Sequence, residues 1–226
     1  MNIAPVFSIL GVLLTILSAT MLIPMLVDIS LGYQNWFGFA SAALISCFVG
    51  ISLWLTNRSK QEMNLGLKEA FLLTNSAWLL SGIFGAFPFL FSDLELSFTD
   101  ALFESISGIT TTGSTILTTI ELASPGIILW RALLQWLGGI GIIVMALAIL
   151  PILSVGGMQL FKTETYEASD NAIPRARQLA GGIFGVYASL TLIWTGMLWI
   201  AGMSSFDALI HSMTTLATGG YSSKTA

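Results

Sequence analysis

The chain has 226 residues, of which 55% are hydrophobic and only 9% are charged. An ordinary soluble domain carries about a quarter of charged residues, so this composition is typical of a protein surrounded by lipid. The net charge is −4 and the eight Lys and Arg residues are scattered, which excludes nucleic-acid binding because that function requires clustered basic side chains. The single cysteine, Cys47, excludes an internal disulfide and a cysteine-rich metal site.

Five uncharged runs are long enough to cross a bilayer, whose hydrocarbon core of about 30 Å takes about 20 apolar residues as a helix. The first run has no basic residue before it and no small-residue cleavage site, so we interpret it as a retained helix rather than a signal peptide. The fourth run would be about 45 Å long as a straight helix. We therefore expect it to bend near Pro151. The five predicted spans are residues 1–27, 36–56, 70–91, 132–161 and 178–206.

The distribution of charged residues predicts the orientation in the membrane. Loops 57–69 and 162–177 each carry three Lys or Arg residues, and basic loops are retained in the cytoplasm. The N-terminus and both of these loops are therefore predicted to be cytoplasmic, and the opposite face is acidic, which would concentrate cations near an entrance. The acidic residues predicted on that outer face are Asp93, Glu95, Asp100, Glu104, Glu121 and Asp207.

An internal repeat links two stretches that are too polar to be spans. When the sequence is shifted by 107 positions, residues 97–115 align without a gap, with seven identities in nineteen positions. Repeats of this kind indicate that one structural unit is used twice. The identical residues in the first copy are Ser97, Asp100, Ala101, Leu102, Ser105, Thr111 and Gly113.

Each copy predicts a short helix followed by a turn back inside the membrane. The Ser-x-x-Asp pattern resembles a capping box and predicts helices over residues 97–109 and 204–216. A dozen helical residues rise about 18 Å, which reaches only halfway across the bilayer. The Thr- and Gly-rich residues that follow are named here the first filter segment, residues 110–115, and the second filter segment, residues 217–222.

Extended backbone at that depth needs a partner for its polar groups, because an unsatisfied peptide group in hydrocarbon costs several kcal/mol. Gly permits the positive φ that aligns successive carbonyl groups, and Thr adds a hydroxyl ligand. Each short helix also directs the negative end of its dipole at the filter segment that follows it. These features favour a cation pathway in which backbone carbonyls bind potassium.

Four runs of the sequence resemble the TrkH membrane subunits of bacterial Trk potassium uptake systems, and the similarity extends along the whole chain. They are FTDALFESISGITTTGST, SFDALIHSMTTLATGGYS, LLQWLGGIGIIVMALAILP and ETYEASDNAIPRARQLA. The resemblance implies an all-α polytopic fold with five transmembrane helices and two re-entrant pore helices. It implies two extra helices and a cytoplasmic loop in residues 1–68, a first pore repeat in 69–161, and a second repeat in 162–226 that is incomplete.

The resemblance also implies the ligands and the partners. It implies transport of potassium across the bacterial inner membrane by a homodimer under the control of a cytosolic, TrkA-like nucleotide-binding ring. That family has four filter strands and a gating loop in its third repeat, so two strands and that loop are expected outside residues 1–226. The residues implied to bind potassium, mainly through backbone carbonyls, are Thr110, Thr111, Thr112, Gly113, Ala217, Thr218, Gly219 and Gly220.

Two other classes of function compete with a pore. Ser107 followed by Gly108, with His211 elsewhere, would suit an intramembrane serine protease, but His211 aligns with Glu104 in the repeat and both look like pore-helix residues. A coupled secondary transporter shares discontinuous helices, but it usually places ionisable groups at mid-membrane, and none is obvious in this sequence. Arg131 is expected to reach the interface or to pair with an outer acid.

Overall fold

The computed structural model describes residues 3–58, 66–153 and 172–225. Within these ranges all regular secondary structure is helical, and a 3₁₀ turn at Ile120–Leu122 precedes the sixth α-helix. The α-helices are α1 (Ala4–Leu31), α2 (Trp36–Asn57), α3 (Leu67–Gly85), α4 (Phe87–Leu90), α5 (Phe98–Ile109), α6 (Pro125–Leu153), α7 (Ala172–Ile200) and α8 (Ser205–Leu216).

Five helical segments of the described residues are long and apolar enough to cross a membrane, as the sequence predicts. They are α1, α2, α3 continued into α4, the stretch of α6 that ends at residue 143, and the stretch of α7 that begins at residue 181. Helices α5 and α8 have 12 residues each, which is too short to cross. The described part of the chain is therefore all-helical, with five long helical segments accompanied by the two short helices α5 and α8.

Several predicted boundaries are wrong, and the start of α6 was missed because the search required uncharged runs. Helix α6 begins at Pro125, seven residues before the predicted start, since it includes Arg131 as a buried residue. Proline suits the first turn of a helix, where its missing N–H has no intrahelical partner. The third span is interrupted at Ala86, and Phe206 belongs to α8 instead of the fifth span. The bend predicted near Pro151 stays a prediction, and residues 154–161 of that run lie outside the described residues.

Helices α1 and α2 form a closely packed hairpin because small residues face each other. A Cβ atom added to Gly11 would lie 2.6 Å from the carbonyl oxygen of Gly50, so the two backbones approach more closely than side chains would allow. Helix α1 ends at Leu31, and the φ of 78° at the following residue, Gly32, lets its N–H turn back to the carbonyls of Asp28 and Ile29. This hairpin forms one side of the bundle.

The start of α6 is attached to this hairpin by a buried carboxylate. Asp28 accepts hydrogen bonds from the Gly126 N–H at 2.7 Å and from the Ser124 hydroxyl at 3.0 Å. A carboxylate at a helix N-terminus satisfies a free amide and interacts favourably with the helix dipole. One turn further along α6, the Trp130 indole donates to the Gly85 carbonyl at 3.0 Å. These contacts position α6 against α1 and α3.

The two short helices end against glycines of α6. A Cβ atom on Gly138 would collide with the carbonyl oxygen of Ile109, the last residue of α5. A Cβ on Gly139 would lie 3.1 Å from Cα of Ala217, the residue that follows α8. Gly138 and Gly139 therefore allow α6 to pack closely against the ends of the two short helices. Gly181 and Gly185 of α7 differ, since no atom of the described residues lies within 4 Å of an added Cβ.

Candidate functional site

Both short helices begin with the same cap, at the residues that the Ser-x-x-Asp pattern predicts. The Ser97 hydroxyl oxygen accepts from the Asp100 N–H at 3.2 Å and donates to the Asp100 carboxylate at 2.7 Å. In the second copy, Ser204 makes the same two bonds with Asp207 at 3.1 and 2.8 Å. Each serine satisfies an amide that the first helical turn leaves free.

The chain leaves both short helices through the same hydrogen bonds. In the first copy, the carbonyl of Ser107 accepts from the N–H groups of Thr112 at 2.9 Å and Gly113 at 3.4 Å. In the second copy, the carbonyl of Thr214 accepts from Gly219 and Gly220 at the same two distances. The sequence shift of 107 residues is thus reproduced in the backbone.

Each filter segment alternates residues of positive and negative φ. Thr111 and Thr218 both have φ of 57°, and Gly113 and Gly220 have φ of 80° and 78°. Positive φ is natural for Gly but is strained for a β-branched residue such as Thr. Strain of this kind persists only where the surrounding structure enforces it, and it is concentrated at functional sites. The sequence analysis named all four residues, but it expected positive φ only at glycine and did not predict it at Thr111 and Thr218.

The two filter segments contact each other. A Cβ atom added to Gly113 would collide with the carbonyl oxygen of Gly219, so this glycine is required by space as well as by its φ. Gly220 differs, because nothing lies within 4 Å of its added Cβ. The side chain of Gln135, which is fully buried, lies beside Gly219 and accepts a hydrogen bond from the Tyr221 N–H at 3.2 Å. Helix α6 therefore lies against both filter segments through the side chain of Gln135.

In the first copy, a buried carboxylate supports the end of the filter segment. Glu104 is fully buried on α5 and accepts from the Thr115 hydroxyl at 2.9 Å and from the Ile116 N–H at 3.1 Å. Its other partner is Arg131 of α6, whose Nε donates to Oε1 of Glu104 at 2.7 Å. Glu104 is therefore not one of the exposed outer acids, which corrects the prediction from sequence. The prediction that Arg131 pairs with one of the acids assigned to the outer face is confirmed, since its partner is Glu104. The pair is buried, however, instead of lying at the membrane interface.

In the second copy, His211 lies at the position that corresponds to Glu104. Its Nε2 lies 3.4 Å from the Ser223 hydroxyl oxygen. That hydroxyl donates to Asp207 at 2.6 Å, and the bond lowers the pKa of Asp207 below its ordinary value. The nearby Lys224, whose Nζ lies 3.9 Å from the other carboxylate oxygen, acts in the same direction. Unlike the first copy, this group is only partly buried.

The residues that follow the two filter segments are joined by an acid. Glu121 accepts from the Thr225 N–H at 2.6 Å and from the Thr225 hydroxyl, which lowers the pKa of its exposed carboxyl. The Ile120 N–H in turn donates to the Thr225 hydroxyl oxygen at 3.3 Å. This contact joins the two copies outside their filter segments.

Ser107 and His211, the two residues considered for a protease, contact other groups. The Ser107 hydroxyl donates to the Ser114 carbonyl at 2.6 Å, and the ring of His211 faces Ser223, so neither side chain bonds the other. A serine nucleophile requires a base within hydrogen-bond reach. Within the described residues, no group of three or more His, Cys, Asp or Glu side chains could hold a metal ion. Within the described residues, the two turns share a distinctive backbone feature, which is positive φ at a Thr and at a Gly two residues later.

The five long apolar helices define the class of this chain as the multi-pass membrane proteins. Residues 37–225 match the TrkH family of cation transport proteins, and the chain belongs to that family. It is a multi-pass membrane protein of a family that transports cations and does not catalyse a reaction.

The relatives specify the family further. The chain is 42% identical to the Trk system potassium uptake protein TrkH of Escherichia coli K12, an alignment that covers 100% of this chain and 47% of the relative. It is 41% identical to the Trk system potassium uptake protein TrkI of Halomonas elongata, with 99% and 45% covered. The crystal structure of the potassium transporter TrkH from Vibrio parahaemolyticus superposes with a TM-score of 0.87 at 35% identity, over 100% of this chain and 45% of that one. The chain thus spans about half the length of these relatives.

Proposed function

We propose that this chain supplies two of the filter strands of a potassium-conducting pore in a Trk-type uptake system. The observation that carries the proposal is the repeated alternation of φ in the two filter segments, 57° then 80° in the first and 57° then 78° in the second. Such alternation turns successive carbonyl groups toward one side, where they can replace the hydration shell of an ion. The proposed ligands are the backbone carbonyls of residues 110–113 and 217–220.

The direction of the short helices supports a cation as the transported ion. Helix α5 ends at Ile109 and α8 at Leu216, directly before the two filter segments, so the negative end of each helix dipole faces them. In this proposal both helices are re-entrant, and the filter segments lie inside the membrane, where their carbonyls gain a partner in the ion. Potassium is the substrate in this scheme, and its transport is supported by the relatives at about 40% identity, which are potassium uptake proteins.

The proposed organisation follows the repeat. Residues 69–161 form the first pore repeat, residues 162–226 contain the second up to its filter segment, and residues 1–68 supply two additional helices and a loop. The basic loops favour a cytoplasmic N-terminus, and location in the inner membrane of a bacterial cell is part of the same proposal. Assembly as a homodimer with a cytosolic nucleotide-binding ring is part of the same proposal and rests on the family resemblance alone.

Two filter strands leave the proposed ion site incomplete. A dehydrated ion needs ligands on all sides, and two strands surround only about half of it. The curated relatives are about twice as long as this chain, so their remaining length is available for the other ligands. We therefore expect conduction when residues 1–226 are combined with the rest of a Trk protein, and none from a monomer of these residues.

A chimera tests this function. Residues 1–226 replace the matching stretch of the Escherichia coli relative, and the product is expressed in bacteria that lack potassium uptake. We expect saturable rubidium uptake that potassium inhibits more strongly than sodium does. The controls are the empty vector and the chain alone, at equal amounts of membrane protein. A chimera that inserts normally but takes up no rubidium above the vector would overturn the proposal. Robust uptake by the chain alone, shown by crosslinking to be monomeric, would refute the incomplete site.

A further inference from the structure

A buried ion pair lies between the two filter segments. Arg131 on α6 is 1% exposed and Glu104 on α5 is 0% exposed, and they are joined by a hydrogen bond of 2.7 Å. Removing two charges from water costs several kcal/mol each, and further hydrogen bonds to the two groups offset part of that cost. The identity of those further partners therefore indicates what the pair holds in place.

The carboxylate of this pair is attached to the first filter segment. Besides Arg131, Glu104 accepts from the Thr115 hydroxyl with both of its oxygens, at 2.9 and 3.0 Å, and from the Ile116 N–H at 3.1 Å. Thr115 is the last residue of the segment. Hydrogen bonds to a charged group are about twice as strong as neutral ones. Glu104 therefore fixes the end of the first filter segment to its own pore helix.

The guanidinium of the same pair is attached to the second filter segment. Nη1 of Arg131 donates to the Ser222 carbonyl at 3.1 Å, and its Cζ lies 4.1 Å from the centre of the Tyr221 ring. The Tyr221 hydroxyl oxygen contacts the first copy, where it lies 3.0 Å from the Glu104 carbonyl oxygen and 3.2 Å from the Ser114 carbonyl oxygen. The side chains of Arg131, Glu104 and Tyr221 thus connect the two filter segments through a continuous set of hydrogen bonds and one ring contact.

We propose that Arg131 and Glu104 are positioning residues that hold the two filter segments at a fixed separation and thereby set the discrimination between potassium and sodium. This inference rests on the proposed function. Potassium and sodium differ in the carbonyl arrangement that best replaces their water, so selectivity depends on how firmly that arrangement is maintained. Neither residue contacts the ion in this proposal. Arg131 is suited to this role because its planar group presents several donors in fixed directions, whereas lysine is a flexible point charge.

The test separates charge from geometry with conservative variants of the chimera. Arg131→Lys keeps the charge but loses the directed bond to Ser222 and the stacking on Tyr221, and Glu104→Gln keeps the shape but loses the charge. The matched control is Arg58→Lys, which removes another arginine–aromatic contact, 5.3 Å from the Trp54 ring at the end of α2. For each variant we measure membrane insertion and the sodium concentration that halves rubidium uptake.

We expect Arg131→Lys to reduce the preference for rubidium over sodium about tenfold, the size expected when one charge-assisted hydrogen bond is lost. Glu104→Gln should produce a smaller shift, and Arg58→Lys should match the unsubstituted chimera. An Arg131→Lys protein that takes up rubidium with an unchanged sodium ratio would overturn the inference. If Arg131→Lys fails to insert, Tyr221→Phe takes its place as the test, because it removes only the hydroxyl contacts to the first copy. An unchanged preference for rubidium over sodium in Tyr221→Phe would likewise overturn the inference. Loss of uptake in the unsubstituted chimera would instead contradict the proposed function.

Discussion

The first and second filter segments have the same backbone but different surroundings. Their φ values agree within 2° at both repeated positions, and their turn hydrogen bonds have the same lengths. The side chains behind them differ, because the first copy places Glu104 against Arg131 whereas the second places His211 against Ser223. The comparison teaches that the repeat preserves the path of the backbone, which would bind the ion, while each copy is supported by different side chains.

Because of this difference in support, we expect the two copies to differ in rigidity. In the first copy the supporting pair is fully buried, whereas Lys224 beside Asp207 of the second copy is 70% exposed. Electrostatic contacts in water are weaker than buried ones with satisfied geometry. Substitutions at equivalent positions should therefore have unequal effects where the surroundings differ, and equal effects where they agree.

The largest expected difference concerns the two filter glycines. In the chimera, Gly113→Ala and Gly220→Ala each place a Cβ on a residue with positive φ, which costs about 1–2 kcal/mol. Gly113→Ala additionally forces a collision with the Gly219 carbonyl, whereas the space around Gly220 is open. We expect rubidium uptake to be lost in Gly113→Ala, and to persist with altered sodium competition in Gly220→Ala.

The control for both glycines is Gly181→Ala, since Gly181 is on the exposed surface of α7 with nothing within 4 Å of an added Cβ. Membrane insertion of the three variants is compared by quantitative immunoblotting of membrane fractions. Equal uptake by the two filter variants would contradict the distinct surroundings described for them. Unchanged ion competition in both would contradict their assignment to the filter.

A smaller effect, equal in the two copies, is expected at the helix caps. Ser97→Ala and Ser204→Ala each remove a cap of the same geometry, which should cost about 1 kcal/mol. Thermal unfolding of the purified chain in detergent should show a similar decrease of a few degrees for each variant. The double variant should show the sum, because the two caps share no hydrogen bond. A much larger loss in one copy would show that its serine has a second role.

The smallest expected effect is a pH dependence in the second copy. The Ser223 hydroxyl, with help from Lys224 and His211, lowers the pKa of Asp207 in the folded protein. A lowered folded-state pKa stabilises the fold above the unfolded value of about 3.9 and ceases to do so as the pH falls through the folded value. The melting temperature of the wild type should therefore exceed that of Asp207→Asn near neutral pH, and the gap should close below about pH 4. A difference in melting temperature that stays constant with pH would contradict the lowered pKa of Asp207 as the source of this stabilisation.

The sequence was sufficient for the features that depend on local patterns. Apolar runs predicted five spans because a bilayer demands length and hydrophobicity from each crossing helix independently. The repeated Ser-x-x-Asp pattern predicted where α5 and α8 begin, because a cap is formed by residues three apart. The shift of 107 residues likewise identified Gly113 and Gly220 as equivalent positions, which their φ values of 80° and 78° now reflect.

Tertiary structure alone decided the contacts between distant residues. The sequence assigned Glu104 to an exposed acidic face and did not identify Gln135 or Tyr221, because the partners of these side chains lie 27 to 117 residues away. The early start of α6 was missed for the same reason, since a charged residue inside a span is tolerated only when its counter-charge is supplied by another helix. Local patterns thus determined which segments become helices and turns, whereas the burial of the Glu104–Arg131 pair and the contact of Gly113 with Gly219 depend on how those segments pack.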